Sequence, residues 1–220
     1  MRKSDTAGKA NILPHKRPLL YYITDRKRLP GISLMACIDR AIEYGVDFVQ
    51  IREKDLDDRS IFGLTRGALA HANGTGCRVI VNGRADIALA AGAHGVHLPS
   101  TGLRVDDVRK WVPDDFLIGV SVHTLAEIRR ACAQDVNYLL LGHVFPTESK
   151  AGYGAPLGLR RLKNACAASK VPVLGLGGIT LESMDSILNA GAAGIAGIGL
   201  FQGKSLGVRQ PGDYSNSEFE

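Results

Sequence analysis

The chain has 220 residues, of which 45% are hydrophobic and 22% are charged, and its net charge is +5. This composition is typical of one globular domain with a substantial core. No window is apolar over the roughly 18 residues of a membrane span. No apolar stretch before a cleavage site follows the first charges, so we expect neither a membrane partner nor a signal peptide.

The two ends of the chain differ from its middle. Basic residues cluster near the start, where we expect residues 1–17 to form a disordered, solvated tail. Glycines and prolines interrupt any helical pattern near the end, so residues 203–220 are predicted to be irregular. The basic residues are not interleaved with aromatic residues on a folded face, and we predict no nucleic-acid partner. The 4 cysteines form no Cys-x-x-Cys pair and indicate a reducing cytoplasm.

Apolar runs and amphipathic stretches alternate along the middle of the chain. The apolar runs predict eight strands, at residues 19–23, 48–51, 78–81, 95–97, 117–120, 138–141, 173–176 and 194–198. The stretches between them predict helices at residues 33–44, 57–72, 85–91, 105–111, 125–133, 157–168 and 181–190. Strands that alternate with helices form a parallel sheet, which at this crossover length closes most naturally as a (β/α)8 TIM barrel over residues 18–202.

Three predicted helices end in glycines, Gly45, Gly92 and Gly191, which suit left-handed C-caps at the bottom of such a barrel. The eighth helix, expected near Phe201, is predicted to be short, absent or supplied by a neighbour. The alternative fold is an open doubly wound sheet. It is disfavoured because no Gly-x-Gly-x-x-Gly follows the first strand.

Cationic side chains follow the second strand. Gln50, Arg52 and Lys54 alternate, so all three face the barrel interior. An inward cation is costly to bury without an anionic partner, which predicts an anionic ligand. A structural salt bridge to Glu53 is the alternative, but Glu53 points to the other side.

Two further loops are typical of anion binding. The loop after strand six supplies two hydroxyls and an ammonium, from Thr147, Ser149 and Lys150. Glycines after strands seven and eight would let backbone N–H groups approach a phosphate; these are Gly177, Gly178 and Gly199. Thr180 would cap the next helix. Plain turn chemistry and a flexible loop are the alternatives.

Three histidines, His97, His123 and His143, each follow a strand. Imidazole titrates near neutrality, so three of them around one mouth favour proton transfer over packing. Metal binding by the three is disfavoured because no carboxylate accompanies them on the inner face.

Several motifs occur in an order that resembles the thiamine phosphate synthase superfamily, which includes thiazole tautomerases. They cover residues 19–202 and comprise Gln50-Ile51-Arg52-Glu53-Lys54, Asn82-Gly83-Arg84, Gly95-Val96-His97-Leu98, Ser121-Val122-His123 and Pro146-Thr147-Glu148-Ser149-Lys150. The resemblance implies a synthase that joins a pyrimidine diphosphate to a carboxythiazole phosphate with magnesium, or an isomerase that shifts a proton on the phosphorylated carboxythiazole.

Two glycines decide between these branches at the level of sequence. The synthase pattern has aspartates where this chain has Gly83 and Gly102, and Mg²⁺ on a diphosphate usually needs one or two carboxylates. Asp86 is predicted to face away from the mouth and not to replace them. We therefore expect the tautomerase branch, with no metal and no cofactor, and the resemblance implies that His123 is the catalytic residue.

In this interpretation the phosphorylated thiazole is bound by Gln50, Arg52, Lys54, Asn82, Ser100, Ser121, His143, Thr147, Ser149 and Lys150, and its phosphate by Gly177, Gly178 and Gly199. One alternative is the synthase, which the retained Thr147, Ser149 and Lys150 support and which would require Mg²⁺. Another is a catalytically silent protein that binds a ligand of the thiamine pathway. A homodimer is a further alternative, which the sequence neither predicts nor excludes.

Overall fold

Eight parallel strands, in chain order, form a closed barrel in the computed structural model. The structure describes residues 17–29, 31–147 and 154–202. Strand β8 pairs with β1, with Leu19 opposite Gly194, and this pairing closes the barrel. The prediction of a (β/α)8 barrel is confirmed and the open sheet is excluded. Residues 1–16 of the predicted N-terminal tail and the whole of 203–220 lie outside the described residues.

The strands and helices alternate as the hydrophobic pattern predicts. The strands are β1 (Leu19–Ile23), β2 (Phe48–Ile51), β3 (Arg78–Asn82), β4 (Gly95–Leu98), β5 (Leu117–Val122), β6 (Tyr138–Gly142), β7 (Val173–Leu176) and β8 (Gly194–Gly197). The helices are α1 (Leu34–Tyr44), α2 (Asp58–Ala72), α3 (Ala85–Ala91), α4 (Val105–Arg109), α5 (Leu125–Cys132), α6 (Gly158–Ala168), α7 (Met184–Asn189) and α8 (Gly199–Gln202). None of these helices is long and apolar enough to cross a membrane.

Local signals set the helix ends. Ser33 and Asp57 cap α1 and α2, and the side chain of Asp57 accepts a hydrogen bond from Ser60 N at 2.8 Å. Gly45 and Gly92 are left-handed C-caps, as expected. Helices α1 and α3 therefore end on glycines, whereas α7 ends on Ala190 and the left-handed Gly191 follows it.

The region around α7 differs from the prediction. Thr180 does not cap this helix but begins a separate turn before it, in which Thr180 N donates to Ser183 Oγ at 2.9 Å. The helix begins at Met184, with Ser183 as its N-cap. Helix α8 has 4 residues, in agreement with the expectation of a short eighth helix.

The predicted N-terminal tail extends one residue too far into the barrel. Arg17 is anchored to Asp47 by two hydrogen bonds, of 3.0 and 3.2 Å, and also donates to Gly45 O at 3.1 Å. Asp47 in turn accepts from Leu20 N at 2.8 Å. Arg17 therefore belongs to the barrel, where it fixes the start of β1 against the loop before β2.

The barrel interior is filled in part by aromatic rings that cover glycines. The hydroxyls of Tyr21 and Tyr138 form one hydrogen bond of 2.8 Å with each other, and both side chains are fully buried. A Cβ placed on Gly119 would lie 2.1 Å from the Tyr138 ring, so only glycine fits there. Such interior layers form the floor beneath the carboxyl ends of the strands.

Candidate active site

One cavity of about 1500 Å³ opens at the carboxyl ends of the strands. Its lining contains every predicted site residue within the described ranges: Gln50, Arg52, Lys54, Asn82, Ser100, Ser121, His123, His143, Thr147, Gly177, Gly178 and Gly199. Ser149 and Lys150 were predicted for the same site but lie outside the described residues. The loops that follow parallel strands meet at this face of a barrel, which explains why distant motifs converge.

A buried amide pair lies on one side of the floor. Gln50 is 1% exposed, and its Nε2 donates to Asn82 Oδ1 at 2.9 Å. The remaining oxygen, Gln50 Oε1, has no partner among the described residues. A buried acceptor without a donor costs about 1–3 kcal/mol, so a hydrogen bond from a ligand would offset this penalty.

His97 is a neutral part of the floor. Its Nε2 lies 2.8 Å from Ser121 Oγ, and its ring stacks on Tyr138 with centroids 5.9 Å apart. Burial and the nearby Arg52 lower the pKa of His97 to about 3. His97 therefore does not titrate near neutrality, and the argument that the histidines favour proton transfer over packing does not apply to it.

The other two histidines border the opening. His123 Nδ1 lies 2.6 Å from Gly142 O, and because a carbonyl only accepts, Nδ1 carries the proton. The backbone N–H of His123 donates to Glu127 within the capping box of α5. His143 is 8% exposed and lies between the β6 loop and the β7 glycines.

Two cations stand at the end of β2 as the alternation predicts. Arg52 is half-buried and Lys54 is exposed, and within the described residues neither forms an ion pair. The alternative bridge to Glu53 does not form. Glu53 is buried on the other side, where it accepts from Arg26 N at 3.2 Å.

The sequence interpretation missed three charged residues of the lining. Arg28 reaches the cavity from the turn after β1, and Glu182 and Asp185 reach it from the segment between β7 and α7. A signal for Arg28 was available in the sequence. Three successive basic residues follow the first strand, and no other predicted strand is followed by such a run. The acidic pair carried no such signal because it was assigned to the interior of the predicted seventh helix.

The β7 glycines have a steric explanation of their own. Gly177 and Gly178 adopt φ values of 92° and 68°. A Cβ on Gly178 would lie 2.4 Å from Pro146 O, and one on Gly177 would lie 2.5 Å from His143 Cβ. Turn chemistry and close packing thus suffice for both. Gly199 differs, because a Cβ there would meet no atom within 4 Å.

In the part of the chain that the structure describes, the corner of the mouth formed by β3 and β4 carries no carboxylate ligand. Gly83 and Gly102 occupy the two positions, and Asp86 is bound to Arg84 at 2.7 and 2.9 Å. No group of three histidine, cysteine, aspartate or glutamate side chains in the described ranges could hold a metal ion. These residues do not fit the carboxylate-bound Mg²⁺ that the family resemblance implies.

Comparisons with known proteins agree with the fold and with the motifs. A family model described as thiamine monophosphate synthase matches residues 20–201. A putative thiamine-phosphate synthase of Geobacter sulfurreducens is 42% identical over 177 residues, which is 80% of this chain and 83% of that protein. The thiamine-phosphate synthase of Roseiflexus castenholzii is 36% identical over 83% of this chain and 80% of its own length. The solved structure of thiamine phosphate pyrophosphorylase from Pyrococcus furiosus superposes with a TM-score of 0.77 at 28% identity, covering 87% and 91% of the two chains.

These relatives overturn the predicted activity. The expectation of a thiazole tautomerase, and hence of an isomerase, is wrong, because the relatives are named synthases. The error lay in equating the loss of two carboxylates at Gly83 and Gly102 with the loss of diphosphate binding, although cations can also hold a diphosphate. The proton shift assigned to His123 falls with that reaction. From the match over residues 20–201 and the identity to curated synthases, the chain belongs to the thiamine monophosphate synthase family.

Proposed function

We propose that this protein is a thiamine-phosphate synthase, a transferase that couples hydroxymethylpyrimidine diphosphate with carboxythiazole phosphate and releases pyrophosphate and CO2. The observation that carries the proposal is the cavity of about 1500 Å³. Among the described residues it joins a buried acceptor that has no hydrogen-bond partner to two cations, Arg52 and Lys54, that form no ion pair. Sites for one small ligand are typically about 300–1,000 Å³, so this cavity has room for two substrates. The names of the curated relatives support the same reaction.

Different residues of the cavity would bind the uncharged rings and the charged phosphate groups of the substrates. Gln50, held by Asn82, would accept a hydrogen bond from the bound ring through its free Oε1. Arg52 and Lys54 would bind the diphosphate, since guanidinium and ammonium groups form strong charge-assisted hydrogen bonds to phosphate oxygens. The backbone at Gly178 and Gly199 would hold the thiazole phosphate.

The cations also favour the coupling step itself. The bond from the methylene carbon to the diphosphate oxygen breaks, and its electron pair leaves with pyrophosphate as the thiazole nitrogen bonds to the carbon. The carboxylate of the thiazole then leaves as CO2, and a proton from water takes its place on the ring. Negative charge therefore grows on the leaving group, where Arg52 and Lys54 would stabilise it more than in the ground state. Ser121, whose hydroxyl is held by a hydrogen bond to neutral His97, would position the substrate ring at the floor of the cavity.

The test is product formation from the two substrates. The purified full-length chain should form thiamine phosphate and pyrophosphate in equal amounts, followed by mass spectrometry. Gln50→Met, which keeps the volume but removes the acceptor, should lower kcat/KM about tenfold or more. Gln202→Met is the matched control, because Gln202 is also a buried amide with an unpartnered oxygen but does not line the cavity.

Absence of product at any magnesium concentration would refute the synthase. Calorimetric binding of carboxythiazole phosphate without coupling would then indicate the second candidate, a catalytically silent ligand-binding protein. The glycines at positions 83 and 102 are the observation that favours this candidate.

A further inference from the structure

We propose that Arg52 and Lys54 bind a diphosphate directly, without a divalent ion held by carboxylates, because the corner where such carboxylates would stand holds Gly83 and Gly102, and Pro99 crowds the second of these positions. The inference rests on the proposed function only in naming a diphosphate substrate. It concerns how the chain neutralises that anion, and it is testable with inorganic pyrophosphate alone.

Pro99 lies between the two glycines. A Cβ on Gly83 would lie 3.8 Å from Pro99 Cδ, and a Cβ on Gly102 would lie 3.1 Å from the same atom. Gly102 N also donates to Pro99 O at 2.8 Å, which closes a tight turn, and its Cβ would lie 3.1 Å from that oxygen. Side chains from both positions therefore meet at one proline ring, and a side chain at Gly102 requires the turn to shift.

The two positions do not resist substitution equally. Gly83 has a φ of 71°, a conformation that aspartate and asparagine tolerate better than other residues do, and the Pro99 contact there is an ordinary van der Waals distance. Gly102 is the crowded position. One carboxylate could thus be restored at position 83, whereas a pair needs Pro99 to be replaced.

Neighbouring carboxylates cannot replace the missing pair. Asp86 and Asp58 both bind Arg84, at 2.7 Å and 3.0 Å, on the outer side between α2 and α3. Glu182 and Asp185 line the cavity but follow β7. Strand β7 lies four strands from β3 around the barrel, on its opposite side.

Cations occupy the corner next to the glycines. Strand β2 pairs with β3, so Arg52 and Lys54 follow a strand that adjoins the Asn82–Gly83 turn. Arg28 lines the cavity from the turn after β1, the other neighbour of β2. Within the described residues Arg28 meets only Asp25, at 4.0 Å. Arg52 and Lys54 thus follow the strand next to this corner, and Arg28 follows the strand beyond it. The described residues place no carboxylate among the cavity-lining side chains of these loops.

Equilibrium binding of inorganic pyrophosphate tests the direct contact. The full-length protein should bind it in EDTA, and adding millimolar Mg²⁺ at matched free pyrophosphate should change Kd by less than about threefold. Arg52→Gln and Lys54→Gln should each raise Kd about tenfold or more. Lys27→Gln is the matched control, since Lys27 pairs with Asp55 at 3.1 Å and does not line the cavity. Binding only with Mg²⁺, or no binding in either buffer, overturns the inference.

Restoring the carboxylates tests the role of Pro99. The triple variant Gly83→Asp, Gly102→Asp, Pro99→Gly should bind pyrophosphate about tenfold or more tightly in Mg²⁺ than in EDTA. The same variant with asparagines in place of both aspartates is the control for shape, and circular dichroism checks that each folds. If the double aspartate variant that keeps Pro99 gains the same Mg²⁺ dependence, Pro99 does not block the corner.

This result is separable from the coupling reaction. A chain that binds pyrophosphate in EDTA but forms no thiamine phosphate keeps this inference and loses the proposed function. A chain that forms product but binds pyrophosphate only with Mg²⁺ does the reverse.

Discussion

The buried imidazole of His97 should make the stability of this barrel depend on pH. In the unfolded chain it takes up a proton near its usual pKa of 6.5, whereas in the fold its pKa is about 3. Between these values the unfolded state binds more protons, so the free energy of unfolding falls as the pH falls, by about 1.4 kcal/mol per pH unit. The loss from His97 should reach about 2 kcal/mol between pH 7 and pH 5.

Urea unfolding of the His97→Gln variant across this pH range measures the contribution. The variant should lose about 2 kcal/mol less than the native chain between pH 7 and pH 5, because glutamine does not titrate. Other groups that titrate in the window, such as His94, are common to both proteins and cancel in the difference. The change with pH is the readout, so a lower absolute stability of the variant does not affect it.

Ser121→Ala provides the matched control. It removes the same 2.8 Å hydrogen bond but keeps the imidazole, so its pH dependence should equal that of the native chain. Equal pH dependence in the native chain and in His97→Gln would refute the reasoning. It would mean that His97 takes up its proton in the folded state as readily as in the unfolded one.

Two further predictions concern packing and anchoring. Gly119→Ala should destabilise the fold by about 2–4 kcal/mol in urea unfolding, because its methyl group overlaps the Tyr138 ring, and Tyr138→Leu should relieve part of this loss. Gly63→Ala, on an exposed helix position with no atom within 4 Å, should instead stabilise by about 0.5–1 kcal/mol, and equal effects at both glycines would contradict the packing argument. Arg17→Ala should cost about 1 kcal/mol, since it leaves the Asp47 carboxylate without its cation; a cost below about 0.3 kcal/mol would place Arg17 in the solvated tail after all.

The barrel was predictable because its signals are local and repeated. The apolar run of β1 specifies a strand from a few residues, and Gly45 likewise specifies the end of a helix. The predicted bounds of β1, β2 and β7 agree with the structure. The start of α7 was not, because Thr180 and Ser183 are both good capping residues and only the turn between them decides which one caps. Which residue caps the helix depends on how the loop folds, and the spacing of the two residues in the sequence does not predict this.

The grouping of the predicted side chains around one cavity was also predictable, but the protonation state of His97 was not. Period-two alternation placed Gln50, Arg52 and Lys54 on one lining, and the structure brings them together. The neutral state of His97 depends on burial by Tyr138, which lies 41 residues away in the chain. The predicted reaction failed because it was inferred from Gly83 and Gly102 alone, whereas the relatives that match the whole barrel are named synthases.

Charge is divided between the floor and the rim of the mouth, and this division limits how a substrate can bind. The floor is uncharged at neutral pH: burial lowers the pKa of His97 to about 3 and raises the pKa of Tyr138 far above neutrality. The cations Arg52 and Lys54 stand above it, towards solvent. An ionic group at the floor would lose its hydration without a counter-charge, which costs several kcal/mol. An anionic substrate should therefore bind with its uncharged ring down, towards Gln50, and its phosphate groups at the rim.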